Sequence, residues 1–335
     1  METGPLQALT DASLWLSAEF ADPASFTMAL SGAMQTELLN AARSAATRQL
    51  AFDELTPATF PLPTIRPLLD DVVSVLEEGR GFSVLRGVPV QDLGADGSVL
   101  AVAGLASHLG ELVAQSVQGN KIEEITDRDQ QLDHTSRGYA GTRALAFHTD
   151  GSDYAALLCL STAAAGGESL LASAAAAHET IRSQGSPLLS VLKRGFFHHR
   201  RGEQPAGEPA VFPGRQPVFR VKRGLMHAFY NRNYPDWLAR EGIEVTEVET
   251  AAQDLLDEVL CRPEHHLKMQ LQLGDLQFIN NYTVLHARTT YQDSPEQKRS
   301  LLRVWIRNPA ACRSGPNIID VYAPWESRKR YPTLS

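Results

Sequence analysis

The stretch Phe147-His148-Thr149-Asp150-Gly151 decides the fold, and it runs directly into an apolar segment at residues 154–160. On an extended backbone, residues two apart point to the same face, so the His148 imidazole and the Asp150 carboxylate can reach one point in space. One nitrogen and one hard oxygen at that point suit a divalent metal ion. In isolation a His-x-Asp pair is a weak signal, and a third ligand must come from elsewhere in the chain.

The composition is that of a globular protein. The chain has 335 residues, 43% hydrophobic and 21% charged, which allows one large domain or two of ordinary size. A net charge of −8 without a basic stripe argues against nucleic-acid binding. No apolar run approaches the roughly 18 residues of a membrane span, so no membrane association is expected. Oligomeric state cannot be inferred from these features.

The cysteines indicate a reducing compartment. Cys159, Cys261 and Cys312 are odd in number and widely spaced, which is typical of reduced thiols rather than of a disulfide framework. The first residues lack a cationic region followed by an apolar core, so no secretory signal is expected. We therefore expect a cytoplasmic protein.

The N-terminal third, residues 1–115, is predicted to be a mostly helical scaffold. Residues 31–43 are rich in alanine and leucine, and residues 68–78 place apolar side chains at the spacing of an amphipathic helix. The segment 81–90 is typical of a strand ended by glycine and proline, and a further helix is predicted over residues 98–112.

The remainder alternates strand-like runs with turn residues. Ser169 begins a short strand after a Gly-Gly turn, and Ser173 is a candidate N-cap for a helix over residues 174–183. A capping-box pattern predicts that a later helix begins at Thr250. Short runs typical of a meander or sandwich lie at residues 195–199, 216–220, 225–230 and 267–273.

The segment 299–307 has an unusual distribution of charge. If it is a strand, Arg299, Arg303 and Arg307 share one face, opposite a largely apolar one. Guanidinium groups gathered on one side of a strand are expected where that side lines a cavity that holds anions. We find no internal repeat and no low-complexity linker, which favours a single domain over residues 1–335.

The order of these motifs resembles that of the TauD/TfdA (taurine/2,4-D dioxygenase) family of Fe(II)/2-oxoglutarate-dependent oxygenases. The motifs are His148-x-Asp150, then Gly-Gly-Glu-Ser169, then His286, then Arg303-x-x-x-Arg307. Each is weak alone, but in this order, over residues 143–308, they are specific. The resemblance implies a mainly β fold with peripheral helices: a double-stranded β-helix (jelly-roll) catalytic core plus an N-terminal helical extension.

The resemblance also implies roles for individual side chains. Those expected to bind Fe(II) are His148, Asp150 and His286. Ser169 would hydrogen-bond the far carboxylate of 2-oxoglutarate, and Arg303 would pair with the same group. The gap from His286 to Arg303 is longer than in the taurine enzyme, so Arg299 is a rival for this anchor.

The implied reaction consumes 2-oxoglutarate and O₂, releases succinate and CO₂, and oxidises a C–H bond of a small molecule. Hydroxylation, desaturation and ring formation all remain open. Asp150 occupies the position that related halogenases leave to chloride, so halogenation is not expected. The arginine face favours an anionic or amino-acid-like substrate. Candidate contacts are Arg307, Asn281 and Arg201, although Asn281 also fits a turn and Arg201 a solvated strand end. The alternative function is a non-catalytic jelly-roll protein that senses metal or 2-oxoglutarate.

Overall fold

The computed structural model describes residues 11–116, 118–127, 141–200, 204, 207–222, 224–232 and 235–311. Arg201 and Cys312, which were singled out from the sequence, lie outside these residues. Among the described residues, no helix combines the length and the apolar character that crossing a membrane requires.

The structure is mainly β with several helices. The α-helices are α1 Gly32–Thr47, α2 Arg66–Glu78, α3 Val90–Ser107, α4 Ala174–Ser183, α5 Leu188–Arg194, α6 Pro235–Arg240 and α7 Glu247–Cys261. The strands are β1 Thr27–Ala29, β2 Phe82–Arg86, β3 Glu111–Val113, β4 Ile122–Ile125, β5 Leu145–His148, β6 Tyr154–Ser161, β7 Ala165–Gly166, β8 Ser169–Ser173, β9 Phe219–Lys222, β10 Leu225–Ala228, β11 His266–Met269, β12 Leu276–Asn280, β13 Val284–Arg288, β14 Tyr291–Gln292 and β15 Ser300–Arg307. Short 3-10 helices lie at Ser17–Phe20, Pro23–Ser25 and Phe52–Glu54.

The strands form two principal sheets. The larger has the order β1-β2-β12-β6-β15-β3, with β4 also paired to β15, and the smaller has the order β11-β8-β13-β5. The β1–β2 pair is parallel, whereas the other pairs in these two sheets are antiparallel. Neighbours in each sheet come from distant parts of the chain, which brings the His148 and His286 segments side by side.

The two sheets pack face to face. One hydrophobic cluster contains Phe82 and Trp305 from the larger sheet together with Leu171 and Val284 from the smaller. Helices α1 to α3 cover the outer face of the larger sheet, and α4, α5 and α7 cover that of the smaller. A polar side chain that points between the sheets is therefore shielded from water on both sides.

The strand β15 follows the predicted alternation. Leu302, Val304 and Ile306 pack against the outer helices. Leu301 and Trp305 face the cluster between the sheets, on the same side as the arginines. The arginine face of this strand therefore lies in the interior of the protein.

Two predicted helix starts are wrong. Helix α7 begins at Glu247 and not at Thr250, because Thr246 and Glu249 form a reciprocal capping box: the Thr246 hydroxyl accepts from the Glu249 N–H at 3.3 Å. Helix α3 begins at Val90, bends at Gly94, where φ is +66°, and ends at Ser107, where residues 98–112 were predicted. By contrast, α4 has the predicted bounds and the predicted N-cap, Ser173.

The predicted strand at residues 195–199 does not form. Only isolated bridges occur there, from Phe196 to Gln216 and from His199 to Val211. The helix α5, which the sequence did not predict, precedes them, and β9 pairs with β10 in a separate two-stranded sheet.

Candidate active site

The three predicted metal ligands converge between the sheets. His148 ends β5, and it lies directly opposite His286 in the antiparallel β5–β13 pair. The His148 Nε2 atom is 3.9 Å from one carboxylate oxygen of Asp150, and the His286 Nε2 atom is 3.7 Å from the other. One ligand atom from each residue lies within 4.8 Å of the others. This spacing lets a single ion contact all three.

Burial and charge put these groups in the protonation states that a cation requires. Burial would raise the pKa of the Asp150 carboxyl, but Arg303 and the two imidazoles hold it at about 2. Burial lowers the pKa of His286 to about 3, with His148 acting in the same direction. At neutral pH Asp150 is ionised and His286 is neutral, as metal ligation demands.

Two atoms of the site lack hydrogen-bond partners within the described part of the chain: Asp150 Oδ2 and His286 Nδ1. A buried carboxylate oxygen without a donor is costly unless a cation or an unseen group satisfies it. Two imidazoles and a carboxylate form the donor set of the facial Fe(II) triad. The residues present therefore fit an iron ion.

The backbone around the ligands is fixed by hydrogen bonds. The His148 Nδ1 atom lies 2.9 Å from the Ala146 carbonyl, which can only accept, so Nδ1 carries the proton and Nε2 is the nitrogen that can ligate a metal. The N–H of Thr149, between the two ligands, donates to the Tyr230 carbonyl at 2.8 Å. These contacts orient His148 before any metal binds.

Asn281, a candidate substrate contact, is bonded to the segment that carries Asp150. This side chain is fully buried; its Oδ1 accepts from the Asp150 N–H at 3.0 Å, and its Nδ2 donates to the Ser152 hydroxyl at 3.2 Å. Both ends of the amide are thus engaged by the protein. Asn281 thus holds the Asp150 segment in place.

Arg303 lies beside the metal ligands. Its Nη1 donates to Asp150 Oδ1 at 3.2 Å, and its Nε donates to Gln115 Oε1 at 2.7 Å. Gln115 also donates from Nε2 to the Arg303 carbonyl at 2.8 Å and to the Lys121 carbonyl at 3.0 Å. Gln115 was not predicted from the sequence, because a lone glutamine close to a short strand carries no local signal of this contact.

Arg299 immediately precedes β15 and is 8% exposed. Its Nη1 has no hydrogen-bond partner in the described part of the chain, and its guanidinium stacks 5.3 Å from the centre of the Tyr291 ring. A Cβ added to Gly167 would lie 3.1 Å from the Arg299 Nε, so the glycine allows this side chain to pack closely. Ser169 is also buried, and its hydroxyl bonds the Gln277 amide across the two sheets, at 3.2 Å to Oε1 and 3.1 Å to Nε2.

Arg307 ends β15, at the opposite end from Arg299, in register with Glu111 of β3. It is half-buried. The structure thus brings Arg303 to Asp150, places Arg299 just before the start of β15, and places Arg307 at its end.

The sequence matches the profile of the family described as "Taurine catabolism dioxygenase TauD, TfdA family" over residues 46–305. It is 35% identical over 306 residues to FR-33289 synthase of Streptomyces rubellomurinus, covering 89% of this chain and 90% of that protein. It is 27% identical over 311 residues to taurine hydroxylase-like protein SAT17 of Stachybotrys chartarum, covering 88% and 79% respectively.

The fold is similar to that of solved oxygenases. Asparagine oxygenase in complex with Fe(II), 3-hydroxyasparagine and succinate gives a TM-score of 0.64 at 18% identity, over 84% of this chain and 93% of that one. The non-haem iron oxygenase OrfP with Fe and α-ketoglutaric acid gives 0.63 at 17% identity, over 84% and 94%. The profile and the first relative, which span most of the chain, confirm the prediction: the protein belongs to the TauD/TfdA family of iron- and 2-oxoglutarate-dependent dioxygenases.

Proposed function

We propose that this protein oxidises a C–H bond of a small anionic or amino-acid-like molecule, most simply by hydroxylation, with release of succinate and CO₂. The observation that carries the proposal is the convergence of His148, Asp150 and His286 on one point between the sheets. A catalytic core of jelly-roll type, within a single domain, is the architecture we propose for it. The free thiols of Cys159 and Cys261 agree with a cytoplasmic location.

In this proposal the three converging side chains hold Fe(II), and His148 is oriented by its bond to the Ala146 carbonyl. When bound, iron and 2-oxoglutarate supply the activation of O₂, which no protein side chain can provide. The protein contributes orientation and exclusion of water, because the ligands lie between two packed sheets. Arg303 keeps Asp150 ionised, so the carboxylate stays available as a ligand.

The buried residues Arg299 and Arg303 can bind opposite ends of the 2-oxo acid. Arg303 is engaged with Asp150 and Gln115, which favours the metal-bound end of the 2-oxo acid for this residue. Arg299 lies four residues before Arg303 and has an Nη1 without a partner among the described residues. We therefore assign the far carboxylate to Arg299 and Ser169, which reverses the order of preference drawn from the sequence.

An amino-acid-like substrate is supported by two similar structures. One is asparagine oxygenase with hydroxyasparagine, and another is OrfP with (3S)-hydroxy-L-arginine. Arg307, half-buried at the end of the arginine face, is the candidate among the described residues for an anionic group of the substrate. A screen of amino and organic acids would identify the substrate.

The test is succinate release. Anaerobic protein is mixed with Fe(II) and 2-oxoglutarate, O₂ is admitted, and succinate is measured with and without each member of a panel of amino and organic acids. The expected result is slow succinate formation alone and faster formation with a substrate that gains one oxygen atom. His286→Ala is the matched control and should abolish both.

Two results would contradict the proposal. Tight binding of 2-oxoglutarate without any succinate after O₂ would indicate the sensor function instead. Oxidation of a substrate without added 2-oxoglutarate and without succinate formation would indicate an iron enzyme that uses no 2-oxo acid.

A further inference from the structure

A second cationic cluster lies near the metal ligands and is not explained by them. It consists of Arg288, Tyr291 and Arg299, which are 5%, 2% and 8% exposed. The Arg288 guanidinium lies 4.6 Å and the Arg299 guanidinium 5.3 Å from the centre of the same tyrosine ring. Two like charges are thus held on one aromatic side chain in the interior, which is unfavourable unless an anion joins them.

Several donors of this cluster lack acceptors. Within the described part of the chain, no partner is present for the Nε and Nη1 atoms of Arg288, the Nη1 atom of Arg299 or the hydroxyl of Tyr291. Asp127 is within electrostatic range of Arg288 and Tyr291, but it forms no hydrogen bond with Arg288 Nε, Arg288 Nη1 or the Tyr291 hydroxyl. Buried guanidinium and phenol donors are normally satisfied, so this set points to a ligand that supplies oxygen atoms.

Within this cluster, Arg288 lies one strand repeat from the proposed metal ligand His286. Arg288 follows His286 by two residues on β13, so both side chains point to the same face, about 7 Å apart along the strand. In the β13–β8 pair, His286 lies opposite Leu171, and Arg288 lies opposite Ser169. A short dicarboxylate with one end at the metal would place its other end beside Ser169 and Arg288.

We infer that Arg288 and the Tyr291 hydroxyl complete, with Arg299, the site for the far carboxylate of the 2-oxo acid. This inference rests on the proposed function, and it adds a second guanidinium and a phenol to the single arginine and serine expected from the sequence. Arg288 Nη2 is already used by the carbonyls of Gly141 and Arg143, which leaves its Nε and Nη1 for the ligand.

The same contacts join the far carboxylate to the metal end. Gly141 and Arg143 precede β5, the strand that ends at His148. Binding of the carboxylate fixes the Arg288 guanidinium, and this guanidinium in turn holds the two carbonyls. Binding of the 2-oxo acid thus stabilises the segment that precedes His148, one of the proposed metal ligands.

The test compares two chelating acids that differ at the far end. Binding of 2-oxoglutarate and of 2-oxovalerate, which ends in a methyl group, is measured by calorimetry on anaerobic, Fe(II)-loaded protein. Losing one charge-assisted hydrogen bond should weaken binding of 2-oxoglutarate by roughly 10- to 100-fold in Arg288→Gln and Arg299→Gln. In Tyr291→Phe, which keeps the ring, we expect a loss of roughly 5- to 10-fold. Binding of 2-oxovalerate should change by less than about twofold in all three.

The control is Arg182→Gln on α4, an arginine that pairs with Glu179 on the same helix, and it should match the wild type with both acids. Thermal unfolding identifies any variant that fails to fold, and Tyr291→Phe keeps the test decisive if Arg288→Gln does so. Equal weakening of both acids in Arg288→Gln, or unchanged 2-oxoglutarate binding in both Arg288→Gln and Tyr291→Phe, would overturn the inference. Wild-type protein that binds 2-oxoglutarate no better than 2-oxovalerate would instead contradict the proposed function itself.

Discussion

Replacing Gln115 with leucine should both destabilise the fold and displace the arginine at the metal. Gln115 is fully buried and connects three segments: it lies just after β3, binds both the side chain and the carbonyl of Arg303 on β15, and binds the Lys121 carbonyl just before β4. Leucine has a similar volume, so the change removes hydrogen bonds without opening a large cavity.

The magnitude follows from the bonds that are lost. The Arg303 Nε–Gln115 Oε1 bond at 2.7 Å involves a charged donor, and the two bonds to carbonyls, at 2.8 and 3.0 Å, are neutral. At about 1.5–3 kcal/mol for the charged bond and about 1 kcal/mol for each neutral one, the free energy of unfolding should fall by about 3.5–5 kcal/mol. The buried Arg303 Nε–H is then left without its acceptor, so the guanidinium should shift toward Asp150.

Equilibrium urea unfolding of the metal-free protein measures the loss of stability. The KM for 2-oxoglutarate in the succinate assay reports the displacement of Arg303. Gln115→Glu is the matched control: it keeps an acceptor for Arg303 Nε but loses both donors to the carbonyls. It should lose stability while keeping a KM closer to that of the wild type than Gln115→Leu does. If the free energy of unfolding of Gln115→Leu lies within about 1 kcal/mol of the wild-type value, these hydrogen bonds contribute less than proposed.

Acidification should destabilise the metal-free protein between pH 6.5, the ordinary pKa of His286, and about 3, its pKa in the fold. The unfolded state binds the proton across that window and the folded state does not, so stability falls by up to about 1.4 kcal/mol per pH unit, and His286→Gln should flatten this slope in urea unfolding measured against pH. Removing Fe(II) with a chelator should lower the unfolding temperature of the wild type but not that of Asp150→Ala; an equal decrease in both would place the metal elsewhere. Gly167→Ala should cost about 1–2 kcal/mol, because φ is +75° there, and should raise the KM for 2-oxoglutarate by displacing Arg299; an unchanged KM would separate Arg299 from the 2-oxo acid. Asn281→Ala leaves the buried Asp150 N–H without its acceptor, so Fe(II) affinity in an anaerobic titration should fall by about 10-fold, and wild-type affinity would contradict the holding role.

The features that the sequence predicted well depend on short-range periodicity. The alternation in β15 places its arginines on the interior face because successive strand residues point to opposite faces. His148 and Asp150 lie close together as the two-residue spacing predicted, although β5 ends at His148 and Asp150 lies beyond it. Helix α4 was placed correctly since its N-cap, Ser173, is local to the helix that it begins.

What the sequence did not predict depends on pairing between distant segments. Gln115 contacts Arg303 across 188 positions, and no local pattern encodes that distance. The capping box of α7 was misplaced because two candidate patterns lie four residues apart, and only the packed helix distinguishes Thr246 from Thr250. Asn281 was a candidate substrate contact, and no local pattern predicts that its side chain accepts from the Asp150 N–H, 131 positions away.

The candidate active site takes residues from both sheets. For this reason the roles of its residues cannot be assigned from the sequence of one strand alone. Two of the three proposed metal ligands come from strands of the smaller sheet, His148 from β5 and His286 from β13. Arg303 comes from β15 of the larger sheet, and Arg299 immediately precedes that strand. The separation between a metal ion and either arginine is therefore set by the packing between the sheets and by the Ser169–Gln277 bond that crosses it. Because spacing along β15 fixes only the distance from one arginine to the other, the sequence left both as rival anchors. Their contacts distinguish them: Arg303 bonds Asp150, while Arg299 shares the Tyr291 ring with Arg288, which supports the proposal that they bind opposite ends of the 2-oxo acid.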